Sequence, residues 1–77
     1  MRAVNAPGAI DARQKKLMAV ALSVAQRCEE CIEIQIQGAL GMGISAAEID
    51  EAAWLGIAFA GAPAMMLYQR IRKSLDL

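Results

Sequence analysis

The chain has 77 residues and no net charge, and 57% of its residues are hydrophobic while only 4% are aromatic. This length allows one small domain, and the balanced charge excludes the strongly basic surface of a typical nucleic-acid-binding protein. A single domain of this size buries only about 60% of the surface that its unfolded chain exposes. We therefore expect a partner subunit to cover part of the apolar surface.

The N-terminal segment differs in character from the rest of the chain. Residues 1–9 are predicted to be a flexible lead-in with a turn at Pro7 and Gly8, and residues 10–77 a single domain. The first twelve residues contain no apolar run of the length that a signal peptide needs. These features predict a cytoplasmic protein with reduced thiols.

The first predicted helix begins at Asp11, a residue type that caps helices, with Gln14 at the third position after it. The side chains of this helix are apolar on nearly all of its faces, which favours a position at the centre of the fold or at an interface. Two interpretations stay open here. Either one helix runs from Asp11 to Leu40, or the chain breaks near Arg27.

The next segment carries mixed signals. Isoleucines alternate with polar residues over positions 32–37, which locally resembles a strand, but the segment is short and helical spacing continues through Leu40. We therefore predict a helix. Glycines at three positions are expected to end it and form a turn. They are Gly38, Gly41 and Gly43.

The C-terminal part contains two further predicted helices. Ser45 and Glu48 have the spacing of a capping box, Gly61 is expected to end the first helix, and Pro63 suits the first turn of the second. The uncharged stretch 52–69 falls short of the roughly 20 apolar residues that a membrane-spanning helix needs. The sequence thus predicts an all-α fold of three or four helices, with no membrane partner.

Both cysteines of the chain, Cys28 and Cys31, form a C-x-x-C pair. This spacing lets two thiols close a small disulfide ring and open it again. A thiolate that attacks a peroxide becomes a sulfenic acid, and a neighbouring thiol converts that to a disulfide. Arg27 would favour the thiolate, while the neighbouring glutamates oppose it. A chain break near Arg27 would place the pair at a helix N-terminus, where the dipole also favours the thiolate.

Other interpretations of the cysteines also exist. Two cysteines on an apolar helix face can be inert packing. A four-coordinate zinc site needs further Cys or His ligands, and the chain has no histidine and no third cysteine. We therefore expect no metal site within one chain, while two subunits could pool four thiolates. A structural disulfide between residues three apart closes too small a loop to add much stability.

Two longer segments make a resemblance specific. Residues 16–32 read KLMAVALSVAQRCEECI and residues 38–52 read GALGMGISAAEIDEA. With the Gly-Ala-Pro-Ala run at 61–64, they resemble the carboxymuconolactone decarboxylase superfamily over about residues 8–75. Within that superfamily, the C-x-x-C pair resembles the alkylhydroperoxidase-D-like branch.

The resemblance implies a small alkylhydroperoxidase-D-like helical unit that completes its core by assembling into trimers or hexamers. It implies thiol peroxidase or disulfide-reductase chemistry without a metal or cofactor. By analogy, Cys31 is the peroxide-attacking thiol and Cys28 the resolving thiol. A dithiol partner, such as a thioredoxin-like protein or a lipoyl group, would reduce the resulting disulfide.

Two positions depart from the family pattern. Gln35 replaces a histidine four residues after the second cysteine, and Lys16 replaces a glutamate twelve residues before the first; the family uses those two groups as a proton relay. Glutamine cannot act as a base near neutral pH, whereas lysine can stabilise a nearby thiolate as a cation. We therefore predict catalytic roles for Cys28 and Cys31, supporting roles for Lys16 and Gln35, and weakened activity. The alternatives are a non-catalytic oligomeric binding or scaffold protein, or a decarboxylase-type enzyme on another small substrate.

Overall fold

A computed structural model describes residues 2–77, so Met1, the first residue of the expected lead-in, lies outside the described residues. The described part of the chain is all-helical and contains no strand, which confirms the predicted fold class. Four helices longer than one turn agree with the expected three or four, and one further turn of helix lies near the N-terminus. The helices are α1 (Arg2–Asn5), α2 (Ala12–Ala25), α3 (Glu29–Gly41), α4 (Ala46–Ala60) and α5 (Ala62–Ser74).

The chain breaks between α2 and α3, which decides between the two interpretations of this region. Arg27 has a left-handed backbone with φ of 56°. Its N–H donates to the Val24 carbonyl at 3.0 Å, and the Cys28 N–H donates to the Ser23 carbonyl at 3.3 Å. These two bonds form a Schellman motif, which commonly ends a helix. Cys28 is consequently the first residue of the next element, at the N-cap of α3.

Helix caps lie where local sequence signals predicted them. The Asp11 carboxylate accepts a hydrogen bond from the Gln14 N–H at 2.7 Å at the start of α2. Ser45 and Glu48 form a reciprocal capping box at the start of α4. Gly61, with φ of 90°, separates α4 from α5, whose first turn contains a proline. The Asp11 cap and the Ser45–Glu48 box satisfy backbone N–H groups that would otherwise lack a partner at a helix start.

The glycines after α3 do not all lie in the turn. Gly43 has φ of 82°, and the Ile44 N–H donates to the Ala39 carbonyl at 3.1 Å, so a second Schellman motif ends α3. Gly41 is the last residue of that helix. The expectation that Gly38 helps to end the helix is wrong, because Gly38 lies inside α3. Its lack of a side chain instead leaves room for a neighbour from α2.

The four longer helices enclose one hydrophobic core. Helices α2 and α4 are in close backbone contact at Gly56. A Cβ atom there would overlap the carbonyl oxygen of Ala21 and lie 3.1 Å from its carbonyl carbon. The largest fully buried side chains are Tyr68, Ile32, Ile36, Ile44, Ile49, Ile71, Val20 and Val24. The core therefore holds all four longer helices in place, including the first turns of α3.

Helices α2 and α4 also expose large apolar side chains on the outside of the molecule. Met18 and Leu55 line one groove between the two helices. Leu22 and Phe59 lie one turn further along each helix, and Phe59 is 91% exposed. We call these four side chains the α2–α4 apolar surface. Within residues 2–77, no helix is both long enough and apolar enough to cross a membrane.

Candidate functional site

A disulfide joins Cys28 and Cys31 at the start of α3, with Cα atoms 5.2 Å apart. The structure thus brings the two predicted catalytic cysteines together. Cys28 is the N-cap residue, and its Sγ accepts a hydrogen bond from the Cys31 N–H at 3.4 Å. Both residues are partly exposed. The disulfide therefore lies at the positive end of the helix dipole and within reach of a reactant in solution.

Carboxylates lie beside the Cys28 side of this disulfide. Cys28, Glu29, Glu30 and Glu33 line an open groove of about 510 Å³, which we call the acidic groove. Glu29 also pairs with Arg70 of α5 at 3.5 Å. Among residues 2–77, neither these carboxylates nor any other set of three His, Cys, Asp or Glu side chains is placed to hold a metal ion. A molecule that reaches the disulfide through the acidic groove meets negative charge.

The two predicted supporting residues contact each other directly. The Lys16 ammonium on α2 donates a hydrogen bond to Gln35 Oε1 on α3 at 3.0 Å, and both side chains are partly buried. Gln35 lies one helical turn after Cys31, so the two side chains share a face of α3. The structure therefore connects Lys16 through Gln35 to the face that carries Cys31.

Gly38 belongs to the same face, although sequence reasoning placed it in the turn. A Cβ atom at Gly38 would lie 3.1 Å from Lys16 Nζ and 3.5 Å from its Cε. The lysine side chain therefore lies directly over the glycine. The available signal was the spacing, because Cys31, Gln35 and Gly38 occur at i, i+4 and i+7.

A second polar cluster lies between α4 and α5. Asp50 accepts a hydrogen bond from the Tyr68 hydroxyl at 2.6 Å and two from the Arg72 guanidinium, at 2.8 and 2.9 Å. The hydrogen bond from Arg72 lowers the pKa of Asp50. Burial, followed by the hydrogen bond to Asp50, raises the pKa of Tyr68. All three groups satisfy one another, so the cluster connects two helices; sequence reasoning did not find it.

A surface ion pair joins the beginnings of α2 and α4. The Arg13 guanidinium pairs with the Glu48 carboxylate, which also takes part in the capping box with Ser45. The hydrogen bond from Arg13, and then those from Ser45, lower the pKa of Glu48 to about 2. Both side chains are substantially exposed, so solvent and salt screen their attraction.

The described residues form an all-helical fold with a C-x-x-C disulfide at the start of a helix. The model of the carboxymuconolactone decarboxylase family matches residues 1–70. The chain belongs to this family, which confirms the resemblance seen in the sequence. No solved structure matches the chain.

One curated relative is similar over part of its length. It is named "Uncharacterized protein 4 in cox locus" and comes from Paracoccus denitrificans. The two proteins are 41% identical over 54 residues, which cover 70% of this chain and 49% of the relative. The chain thus spans about half the length of the curated relative that it matches.

Proposed function

We propose that this protein is a thiol-dependent peroxidase or disulfide reductase of the alkylhydroperoxidase-D-like type. The observation that carries the proposal is the partly exposed Cys28–Cys31 disulfide at the N-terminus of α3 in a member of this family. A helix N-terminus favours a thiolate over a thiol, and the thiolate is the reactive form of cysteine. Attack of a thiolate on a peroxide or a disulfide proceeds without a metal ion.

The proposed cycle starts from the reduced protein. The Cys31 thiolate attacks a peroxide oxygen, an S–O bond forms, the O–O bond breaks, and the leaving alkoxide takes a proton to become an alcohol. The Cys28 thiolate then attacks the Cys31 sulfenic acid, which forms the disulfide and releases hydroxide, and hydroxide takes a proton to become water. An external dithiol reduces the disulfide by thiol–disulfide exchange and is itself oxidised to a disulfide.

The residues around the cysteines support a slow version of this cycle. Gln35 cannot accept a proton near neutral pH, and it is occupied by Lys16. Loss of a positioned general base typically lowers a rate by about 10²–10⁴-fold. We therefore propose that the rate depends on the fraction of Cys31 that is ionised at the pH of the solution. The activity is then weaker than that of a site with a general base.

The acidic groove restricts the external reductant. Carboxylates of Glu29, Glu30 and Glu33 repel an anionic thiol from the Cys28 sulfur. A protein dithiol with a neutral or basic surface, or a neutral lipoyl group, suits this surface better. The reductant is therefore proposed to be a dithiol of that kind, in keeping with a cytoplasmic location.

We also propose that the protein assembles into trimers or hexamers through the α2–α4 apolar surface. An exposed side chain as large as Phe59 favours burial by another copy. Phe59→Ser should lower the mass measured by light scattering after size exclusion, whereas Ile34→Ser should leave it unchanged. Ile34 is the matched control because it is 63% exposed but lies on α3. A monomeric native protein would contradict the proposal.

The peroxidase experiment uses the purified full chain, an organic hydroperoxide and an uncharged dithiol. We expect peroxide loss that matches dithiol oxidation in the native protein. Cys31→Ser should abolish turnover. Reduced Cys28→Ser, freed of dithiol before peroxide is added, should consume one equivalent of peroxide and stop with a sulfenic acid on Cys31. Equal turnover in the native protein and both variants would refute the role of the pair.

A non-catalytic binding or scaffold protein is the second candidate. The hydrogen bond between Lys16 and Gln35 favours it, because that contact leaves the Cys31 face without a base. This candidate predicts that the reduced native protein consumes peroxide no faster than the Cys28→Ser, Cys31→Ser double variant, while its oligomeric mass is normal.

A further inference from the structure

We propose that Lys16, held by Gln35 and Gly38, is a positioning residue that stabilises the Cys31 thiolate when the disulfide opens. This inference rests on the proposed redox function of the cysteine pair. It assigns an electrostatic role to the lysine and no proton transfer.

The first step of the inference is that the lysine side chain is held in place. Its Nζ donates to Gln35 Oε1 at 3.0 Å and lies over Gly38, where any side chain would crowd it. An ammonium group can only donate hydrogen bonds, so the amide oxygen must face it and the amide N–H groups remain donors. Glycine weakens a helix interior, yet here it allows the ammonium to lie close to the α3 backbone.

The second step is the placement relative to sulfur. Cys31, Gln35 and Gly38 follow one another along a single face of α3. The ammonium lies over Gly38, and the seven residues from Cys31 to Gly38 span about 10 Å of helix axis. At about 0.01 M salt the Debye length of about 30 Å exceeds this separation, so the ammonium still stabilises a partly exposed Cys31 thiolate.

The third step concerns the other charges near this end of the molecule. On α3 the nearby side chains are acidic. On α4, Glu48 and Asp50 are paired with arginines, and Glu51 lines the groove against α2. Arg70 of α5 pairs with an α3 glutamate, and Arg27 precedes Cys28. Among residues 2–77, no carboxylate pairs with Lys16. The charged groups on the elements around Lys16 and Cys31 include Glu29, Glu30 and Glu33 of α3, Arg27 before α3, Arg70 and Arg72 of α5, Glu48, Asp50 and Glu51 of α4, and Arg13 of α2.

The chemistry needs such a cation at one moment. When the thiolate of an external dithiol attacks Cys28 Sγ, a new S–S bond forms and the Cys28–Cys31 bond breaks. The electron pair of the broken bond stays on Cys31 as a thiolate. The reductant's second thiol then attacks, as a thiolate, the first reductant sulfur, which is bonded to Cys28. This step closes the reductant's disulfide and releases the Cys28 thiolate. Lys16 stabilises the first leaving thiolate without giving up its proton.

The test measures alkylation of Cys31 by iodoacetamide as a function of pH, in a reduced Cys28→Ser background at low salt. Replacing Lys16 by Met should move the midpoint of the curve up by about half a pH unit. Below the midpoint, alkylation should be about threefold slower. Lys15→Met is the matched control, because the Lys15 ammonium binds the Ala6 carbonyl at 2.7 Å instead. It should leave the midpoint unchanged.

Two further measurements separate charge from structure. Lys16→Arg keeps the cation and should keep the midpoint close to the native value. At about 1 M salt, where charges are screened within about 3 Å, the difference between Lys16→Met and the native background should disappear. An unchanged midpoint in a folded Lys16→Met variant, or a shift that persists at 1 M salt, would overturn the inference.

The same data keep this inference separate from the proposed function, because the alkylation experiment contains no peroxide. A midpoint shift in a protein without peroxidase turnover would support the role of Lys16 and refute the peroxidase proposal. Turnover that depends on both cysteines, combined with no midpoint shift, would support the peroxidase proposal and refute the role of Lys16.

Discussion

Gly56 controls how closely α2 and α4 approach, and Gly56→Ala tests that contact. The added Cβ would overlap the Ala21 carbonyl oxygen and lie 3.3 Å from the Ala25 nitrogen. Because these atoms belong to the backbone of α2, no side-chain rotation can relieve the overlap. The two helices must therefore move apart.

The size of the effect follows from opposing terms. A separation of 0.5–1 Å removes about a quarter to a half of the dispersion energy at each separated contact, and overpacking of a core typically costs about 1–3 kcal/mol. Alanine favours a helix interior over glycine by about 1 kcal/mol. Since backbone atoms form the contact, we expect a cost near the upper end and a net loss of about 1–2 kcal/mol. For a domain of this size the Tm should fall by about 4–16 °C.

Gly41→Ala is the matched control. Gly41 is the last residue of α3, and no atom lies within 4 Å of the position that its Cβ would occupy. It should leave stability unchanged or raise it slightly. Thermal and urea unfolding, followed by circular dichroism at one fixed protein concentration, compare the two variants. If Gly56→Ala were as stable as Gly41→Ala, the close approach of α2 and α4 would be refuted.

Three other predictions concern the turn, the surface ion pair and the α4–α5 cluster. Arg27→Gly should raise the free energy of unfolding by about 0.5–1 kcal/mol, because glycine adopts the left-handed conformation more readily; a loss in urea unfolding would contradict this. The pKa of Glu48 is about 2 in the folded protein, below its ordinary value, so its contribution is present above about pH 4.5 and is lost as the pH falls towards 2. Arg13→Met should therefore reduce the fall in stability between pH 6 and pH 2.5, and an identical fall in both proteins would count against it. Asp50→Asn should cost about 1–2 kcal/mol, since it weakens the hydrogen bonds from Arg72, whereas no change in thermal unfolding would show that the cluster contributes little.

Local sequence signals predicted the ends of the helices well. Asp11, Ser45 and Gly61 act through residues within three or four positions of themselves, so a short stretch of sequence contains the information that each cap needs. The pattern at positions 32–37 was correctly assigned to a helix because the longer spacing continued past it. The fold class followed from these local features together.

The break at Arg27 was harder to predict. Left-handed backbone usually occurs at glycine or asparagine, and an arginine at this position gives no local indication of a turn. The core determines the conformation instead, because Val24 on α2 and Ile32 on α3 are both fully buried. Both can be buried only if the chain reverses between them, so the packing energy outweighs the cost of the left-handed residue.

Part of the candidate site could likewise be predicted from local sequence, and part could not. The C-x-x-C spacing alone identified Cys28 and Cys31, since three residues suffice to bring two sulfurs within bonding reach. The contact between Lys16 and Gln35 joins residues 19 positions apart on different helices, and no local pattern encodes it. The position of Lys16 over Gly38 likewise exists only because α2 packs against α3, so the sequence alone did not show why this glycine lies inside the helix. Residues close together in sequence thus determine the cysteine pair, because the two sulfurs are only three positions apart. The placement of the Lys16 ammonium on the Cys31 face depends on which helices pack together in the core.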